Sequence, residues 1–270
     1  MAVLRPNKLR TLMRKGLPTI GTHIASSWTG VIEAIGHSGM ADYVEFTSIS
    51  APYDLYALDN MAMASELFDM STMIKIDPEP KLYLAQKAIN AGFQNILFSD
   101  LRTVQDVEAA VRAVRAEPKG WNGAFYSRLE GYVLPSGTEK FVRYTDDVVV
   151  AVMMEKQSLY EHAEDVMNME GVDMIQFGAT DFSLSMGTPG DYANPKLLEA
   201  EERTIKLALK RDKHPRGEIF ATPAGVVGFQ KRLKRFMDLG VRDYCIGSDL
   251  GILFNWMKEY GAMTRNSLSA

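Results

Sequence analysis

Val148-Val149-Val150-Ala151-Val152-Met153-Met154-Glu155 is an unbroken apolar run that ends on a carboxylate, and Met174-Ile175-Gln176-Phe177-Gly178-Ala179-Thr180-Asp181 repeats the arrangement one unit later. Short runs of this kind, without polar alternation, predict strands buried on both faces, as in a parallel sheet. Working outward from this pair, comparable runs lie at 19–24, 43–47, 73–76, 95–98, 218–221 and 244–246, which with 148–153 and 174–177 makes eight. The segments between them carry helical spacing: Val107, Ala110, Val111 and Val114 share one stripe, as do Phe229, Leu233, Phe236 and Met237. Glycine follows two of these helices just before the next strand, in Ala91-Gly92-Phe93 and Leu239-Gly240-Val241, where a left-handed cap is preferred.

Eight strands alternating with helices, with no break in composition, predict a single α/β domain over 1–270 with the closed (β/α)₈ architecture of a TIM barrel. An open doubly wound sheet would carry a glycine-rich phosphate loop after its first strand, whereas Gly21-Thr22-His23-Ile24-Ala25-Ser26-Ser27 stands there. The longest interruption, 117–147, holds Gly120, Gly123, Gly131, Pro135 and Gly137 together with Trp121, Phe125, Tyr126 and Tyr132. A loop of this length is expected either to shape a site or to meet a neighbouring subunit.

Composition narrows the function classes. Of the 270 residues 46% are hydrophobic and 24% charged, a globular balance, and the net charge of −4 provides no basic field for nucleic acid. A basic run, Lys231, Arg232, Lys234 and Arg235, shares a predicted helix with inward Leu233 and Phe236 and reads as its solvated face. Cys245, the single cysteine, falls in a predicted strand, which excludes an intrachain disulfide and fits a reducing compartment. No apolar run approaches the length of about 18 residues that a spanning helix needs. Met1-Ala2-Val3-Leu4-Arg5-Pro6-Asn7-Lys8 lacks the apolar core of a signal peptide, so the expectation is a cytoplasmic protein with neither membrane nor nucleic acid as a partner.

In a barrel the residues just past the carboxyl ends of the strands face one shared bowl. Glu155 and Asp181 qualify, and two carboxylates there suit a divalent cation such as Mg²⁺ or Mn²⁺; the same residues also read as caps of the helices that follow. The segment from Gly178 through Ala179 and Thr180 to Asp181 lets the backbone approach a ligand and offers successive amides to an anion, or forms an ordinary turn.

Met154-Glu155, then Glu170-Gly171-Val172-Asp173, then Phe177-Gly178-Ala179-Thr180-Asp181-Phe182-Ser183 and Met186-Gly187 resemble the signature of the HpcH/HpaI aldolases, metal-dependent class II pyruvate aldolases. Weaker likeness runs from Gly21 through Asp42-Tyr43-Val44 to Ile246-Gly247-Ser248-Asp249. The resemblance implies a lyase of the aldehyde-lyase type in which Glu155 and Asp181 bind the metal. It further implies that the metal chelates a 2-oxo acid and that the amides of Gly178, Ala179 and Thr180 help to hold its carboxylate. The substrates implied are a 2-oxo acid such as pyruvate and an aldehyde. A homo-oligomer, trimeric or hexameric, is implied too, with a C-terminal helix over about 249–261 packing on a neighbouring subunit; closure of the barrel by that helix within the chain is the plain alternative.

The chain departs from that pattern in two places. Where the better-known members carry an acid and a histidine after the second strand, it has Thr47, Ser48, Ile49 and Ser50, and where they carry an arginine after the third it has Lys75, which keeps the charge without the bidentate fork. Candidates for the missing base are His23 at the end of the first strand and Glu45 inside the second, with Lys75 the expected partner of Glu45. Asp100, Arg102 and Arg128 are candidates for a second carboxylate of the substrate or for the missing cation, against readings as a helix cap and surface charges. Decarboxylation of an oxaloacetate-like acid needs no hydroxyl base and stands as an alternative activity, and a non-catalytic barrel that binds metal or oxo acid as an alternative of another class.

Overall fold

Strands that are apolar on both faces need cover inside and out, and a ring of parallel strands wrapped in helices provides it. A computed structural model describes residues 5–124, 126–132, 136–220 and 225–269. It opens with α1 (Lys8–Arg14), β1 (Thr19–Ile24), α2 (Thr29–His37), β2 (Tyr43–Thr47), α3 (Leu55–Glu66), β3 (Ser71–Ile76), α4 (Lys81–Ala91) and β4 (Asn95–Phe98). There follow α5 (Val104–Val114), a 3₁₀ turn (Arg128–Glu130), α6 (Glu139–Asp147), β5 (Val149–Met154), α7 (Gln157–Tyr160), α8 (Ala163–Asn168) and β6 (Met174–Phe177). The chain finishes with α9 (Ala179–Ser185), α10 (Pro195–Lys210), β7 (His214–Ile219), α11 (Gly225–Asp238), β8 (Asp243–Ser248) and α12 (Asp249–Leu268). The eight strands pair in parallel in sequence order and β8 closes on β1, giving the (β/α)₈ TIM barrel that the alternation predicts.

Outward residues of the strands, among them Val44, Ile74, Ile96, Val150, Val152 and Ile175, pack under the helices in one continuous core. Inward residues Tyr43, Met73, Leu97, Val149, Ala151, Met153 and Met174 form a second core inside the ring, with Leu9 and Met13 of α1 closing its amino end. Asn7 fixes that plug by accepting from the Arg10 amide and donating to Gln94 O and Asn95 Oδ1 at 2.8 and 2.9 Å. Arg10 reaches both oxygens of Asp173 at 2.6 Å, so the aspartate of the Glu170-Gly171-Val172-Asp173 motif belongs to the closed end. Where β1 meets β8 the register shifts between Gly21 and His23, and a Cβ on Gly21 would lie 2.2 Å from the Tyr43 ring. Glycine alone lets Tyr43 sit against that seam, where its hydroxyl donates to Tyr244 O at 3.0 Å.

Strand β7 begins at His214, four residues before the expected start, and Ala221, its expected end, lies outside the described residues, as do Phe125 and Pro135 of the long loop. His214-Pro215-Arg216-Gly217 looks like a turn because proline and glycine weaken a strand. Burial reverses the preference: Gly217 faces Phe236, 2.8 Å from where a Cβ would stand, and Gln176 pairs with Arg216 in register. The shift carries Arg216 and Glu218 into the barrel. Arg216 and Glu45, both fully buried, form an ion pair across the interior, and Arg216 also donates to Gln176 Oε1 at 2.5 Å. Lys75 is therefore not the partner of Glu45, because the stronger planar cation already reaches it from β7.

At Arg128 the 117–147 segment is anchored away from the bowl. Arg128 is held by Glu66 of α3 at 2.6 and 2.7 Å and approaches Ala91 O at the end of α4, toward the closed end. The segment also forms α6, whose apolar residues Phe141 and Tyr144 are buried. The basic run on α11 is more than a solvated face: Arg232 and Arg235 both pair with the buried Glu201 of α10, while Lys234 meets Asp238 at the surface. The last helix, α12, extends past 261 to Leu268 and buries none of its residues within the chain. Cys245 is buried and unpaired.

Arg216→Met leaves the Glu45 carboxylate buried without its partner, which costs about 3–5 kcal/mol by denaturant unfolding. Glu45→Leu introduced with Arg216→Met recovers most of that loss; a double variant as unstable as the single one would refute the assignment.

Candidate functional site

The open end of the barrel gathers charge of both signs. Glu155 follows β5 directly, is 1% exposed, and accepts from the Asp100 amide through Oε1 at 2.6 Å. Asp100 makes that bond from a left-handed backbone, φ 56°, a conformation aspartate tolerates better than most side chains. Gly178 passes close behind: a Cβ there would fall 2.7 Å from both Cβ and Oε2 of Glu155, so any larger residue would push the carboxylate away. Asp181 lies in the first turn of α9 with its side chain 40% exposed. Lys156 bridges the two aspartates, its Nζ 2.5 Å from Asp100 Oδ1 and 3.1 Å from Asp181 Oδ1.

Burial raises the Glu155 pKa, and the carboxylates of Asp181 and Asp100 add to the rise against the Asp100 amide and the Lys75 ammonium, which lower it. The Lys75 ammonium lowers Glu218 as well. Beneath it His23 sits between two acids, Nδ1 2.9 Å from Glu45 Oε1 and Nε2 3.0 Å from Glu218 Oε1, with its ring stacked on Phe220. Burial alone would lower the His23 pKa, but Cys245, Glu45 and Glu218 outweigh it and hold the imidazole well above its usual range. Burial likewise opposes the charge on Glu45, and Arg216 and then His23 reverse this, so its carboxyl lies below the usual range. Glu218 is lowered in the same sense, burial being overcome by His23, Arg216 and Lys75.

The structure thus brings Glu155, Asp181, Asp100 and Lys75 to one mouth, with His23 and Glu45 in the layer below. It leaves Arg102 exposed after β4, with its amide on Asp106, and Arg128 on Glu66. Thr180 Oγ1 lies 3.3 Å from the Tyr192 hydroxyl, and the amides of Ala179, Thr180 and Asp181 open α9. Ser48 donates to Lys75 O at 2.7 Å, which ties the loop after β2 to the strand carrying the lysine. Sequence reasoning missed Lys156, Arg216 and Glu218. The two-residue spacing of Arg216 and Glu218 was the available signal, hidden by the late start assigned to the strand.

Among the described residues one trio of potential metal ligands comes within 4.8 Å, His23, Glu45 and Cys245. Arg216 on Glu45 already balances that carboxylate, so the trio is a poor home for a dication. The mouth fits one better: Glu155 and Asp181 are hard oxygen donors, and Glu155 is buried with a single backbone amide on its carboxylate and two further carboxylates near by.

The family model for HpcH/HpaI aldolase/citrate lyase matches residues 30–245, well over half of the chain. The chain belongs to that family. Among HpcH/HpaI relatives, the hydroxypyruvate/pyruvate aldolase of Roseobacter denitrificans is 25% identical over 88% of this chain and 89% of its own. The 4-hydroxy-2-oxo-heptane-1,7-dioate aldolase of Shigella flexneri is 21% identical over 97% and 95%. The solved HpcH/HpaI aldolase of Desulfitobacterium hafniense superposes with a TM-score of 0.85 at 17% identity, covering 95% of this chain and 96% of that one, and shares the fold.

This HpcH/HpaI member carries its own pH signature. The raised His23 pKa contributes stability that is fully present below the unfolded imidazole value of about 6.5 and is lost as pH rises through the folded value. His23→Gln removes that alkaline slope, so the gap in melting temperature between wild type and variant narrows with rising pH; a constant gap would show that His23 is not charged in the fold.

Proposed function

We propose that this chain is a divalent-metal-dependent carbon–carbon lyase that cleaves or forms a 4-hydroxy-2-oxo acid, with pyruvate and an aldehyde as the fragments. The observation that carries the reading is the convergence of Glu155, Asp181 and Asp100 beside Lys75 at the open end of the barrel. The aldolase names of the relatives support the same substrate class. Glu155 and Asp181 would hold the cation, Mg²⁺ or Mn²⁺. When bound there it would supply Lewis acidity at the keto oxygen of the oxo acid.

The chain's own groups do the rest. The amides of Gly178, Ala179 and Thr180 are assigned to the substrate carboxylate, and the Lys75 ammonium to the negative charge that grows on the oxo-acid fragment as the bond breaks. The hydroxyl proton goes to Glu218, the ionised carboxylate at the end of β7 that shares Lys75 with Glu155. His23 and Glu45 position Glu218 from below and keep it ionised. Loss of the hydroxyl proton turns the hydroxyl carbon into the aldehyde carbonyl as its bond to the oxo-acid fragment breaks; the electron pair stays on that fragment, whose own terminal carbon takes up a proton before it departs as pyruvate. Asp100 acts through Glu155, and Arg102 and Arg128 are left out of the site.

Glu155→Gln and Asp181→Asn each lower Mn²⁺ affinity and pyruvate release from 4-hydroxy-2-oxo acids at least about 100-fold, measured by calorimetry and a coupled dehydrogenase assay with and without chelator. Glu218→Gln lowers kcat about 10²–10⁴-fold with metal affinity kept. Oxaloacetate belongs on the same panel, because Thr47, Ser48, Ile49 and Ser50 supply no base directly after β2 and Ser48 is spent on Lys75 O. Turnover of oxaloacetate alone identifies a decarboxylase, and binding of pyruvate without any turnover identifies a non-catalytic barrel.

We also propose a homo-oligomer, a trimer or hexamer, assembled through α12. Leu250, Leu253, Phe254, Trp256 and Met257 are all exposed along it in the single chain. Light scattering returning a monomer at micromolar concentration would refute it.

A further inference from the structure

Resting on the reading of Glu155 and Asp181 as the metal ligands, we infer that Lys156 is a built-in occupant of the cation site and that a divalent ion binds by exchange with its ammonium. Lys156 follows Glu155 directly in sequence, yet its side chain turns back across the mouth and is only 11% exposed. Nζ lies 2.5 Å from Asp100 Oδ1 and 3.1 Å from Asp181 Oδ1, so the ammonium donates to the carboxylate assigned to the metal. Asp100 in turn gives its amide to Glu155 Oε1. One lysine therefore touches one ligand directly and reaches the other through a single residue.

The charges explain why the two cations exclude each other. Lys156 sets one positive charge against Asp100 and Asp181, with Glu155 one hydrogen bond further on, while Lys75, Glu218 and Asp77 add charges of both signs around them. A dication on Asp181 with the ammonium still in place would set like charges within one side chain's reach of each other. The longer contact, to Asp181, is the one to break, and the shorter one, to Asp100, keeps the displaced lysine near by. The four-carbon stem allows that swing without moving the strand. Without metal, the ammonium spares the three carboxylates their mutual repulsion, so the site stays formed while it waits.

The metal alone is the probe. Mn²⁺ titrated into the full chain is followed by calorimetry, and melting temperatures are taken with and without saturating Mn²⁺. Lys156→Met, which keeps the length and loses the charge, binds Mn²⁺ at least ten-fold more tightly than wild type. Its metal-free form melts lower, and saturating Mn²⁺ closes the gap. Lys156→Arg, which keeps the charge and grips both aspartates with a fork, serves if the methionine variant does not fold, and it binds Mn²⁺ more weakly than wild type. Unchanged affinity in both variants, or weaker binding by Lys156→Met, overturns the exchange and leaves the metal ligands standing. No Mn²⁺ binding by wild type or variants overturns the exchange together with the proposed function.

Discussion

Glu45 and Arg216 meet inside the barrel with neither side chain exposed, and most of what surrounds them follows from keeping that pair satisfied. A buried ion pair holds only where further partners complete both ions. Arg216 finds Gln176 on β6, and Glu45 finds His23 on β1, which continues to Glu218 on β7. Five groups from four strands are thus committed to one network, and a slip of any of these strands by one residue would turn its member out of the ring. The network fixes register where an all-aliphatic interior would have left it to packing alone. Its cost in desolvation is offset by the aliphatic layer beneath it and by the α1 plug that seals the amino end.

The mouth inherits its electrostatics from that layer. His23, Arg216 and the Lys75 ammonium together lower the Glu218 pKa, and Lys75 lowers that of Glu155 as well. A lysine near several acids is held by charge, without the rigid fork that an arginine would bring.

The architecture was legible in the sequence because parallel strands buried on both faces leave runs such as Val148-Val149-Val150-Ala151-Val152 that nothing else mimics at that spacing. Glu155 and Asp181 were legible because they end two such runs. Arg216 and Glu218 were not, since His214-Pro215-Arg216-Gly217 carries the local signals of a turn and only tertiary burial makes it a strand. The plug α1 was missed for a related reason: its seven residues show two buried side chains, too few for a periodic pattern. The partner of Glu45 was misjudged because adjacency of β2 and β3 is plain from the order of elements, whereas a contact across the barrel is not. Arg128 looked free for a ligand because its partner Glu66 lies far away in sequence.

Cys245 stands in register with Gly21 on one side and Glu218 on the other, sealed at the seam where the last strand meets the first. A chain with a single thiol in that place has a natural clock for its own breathing. A reagent in solution can reach the sulfur only when the ring parts beside β8, so the rate of modification under native conditions counts those openings as hydrogen exchange counts the opening of a helix. Parting of the β1–β8 seam is thereby open to timing in the unaltered protein.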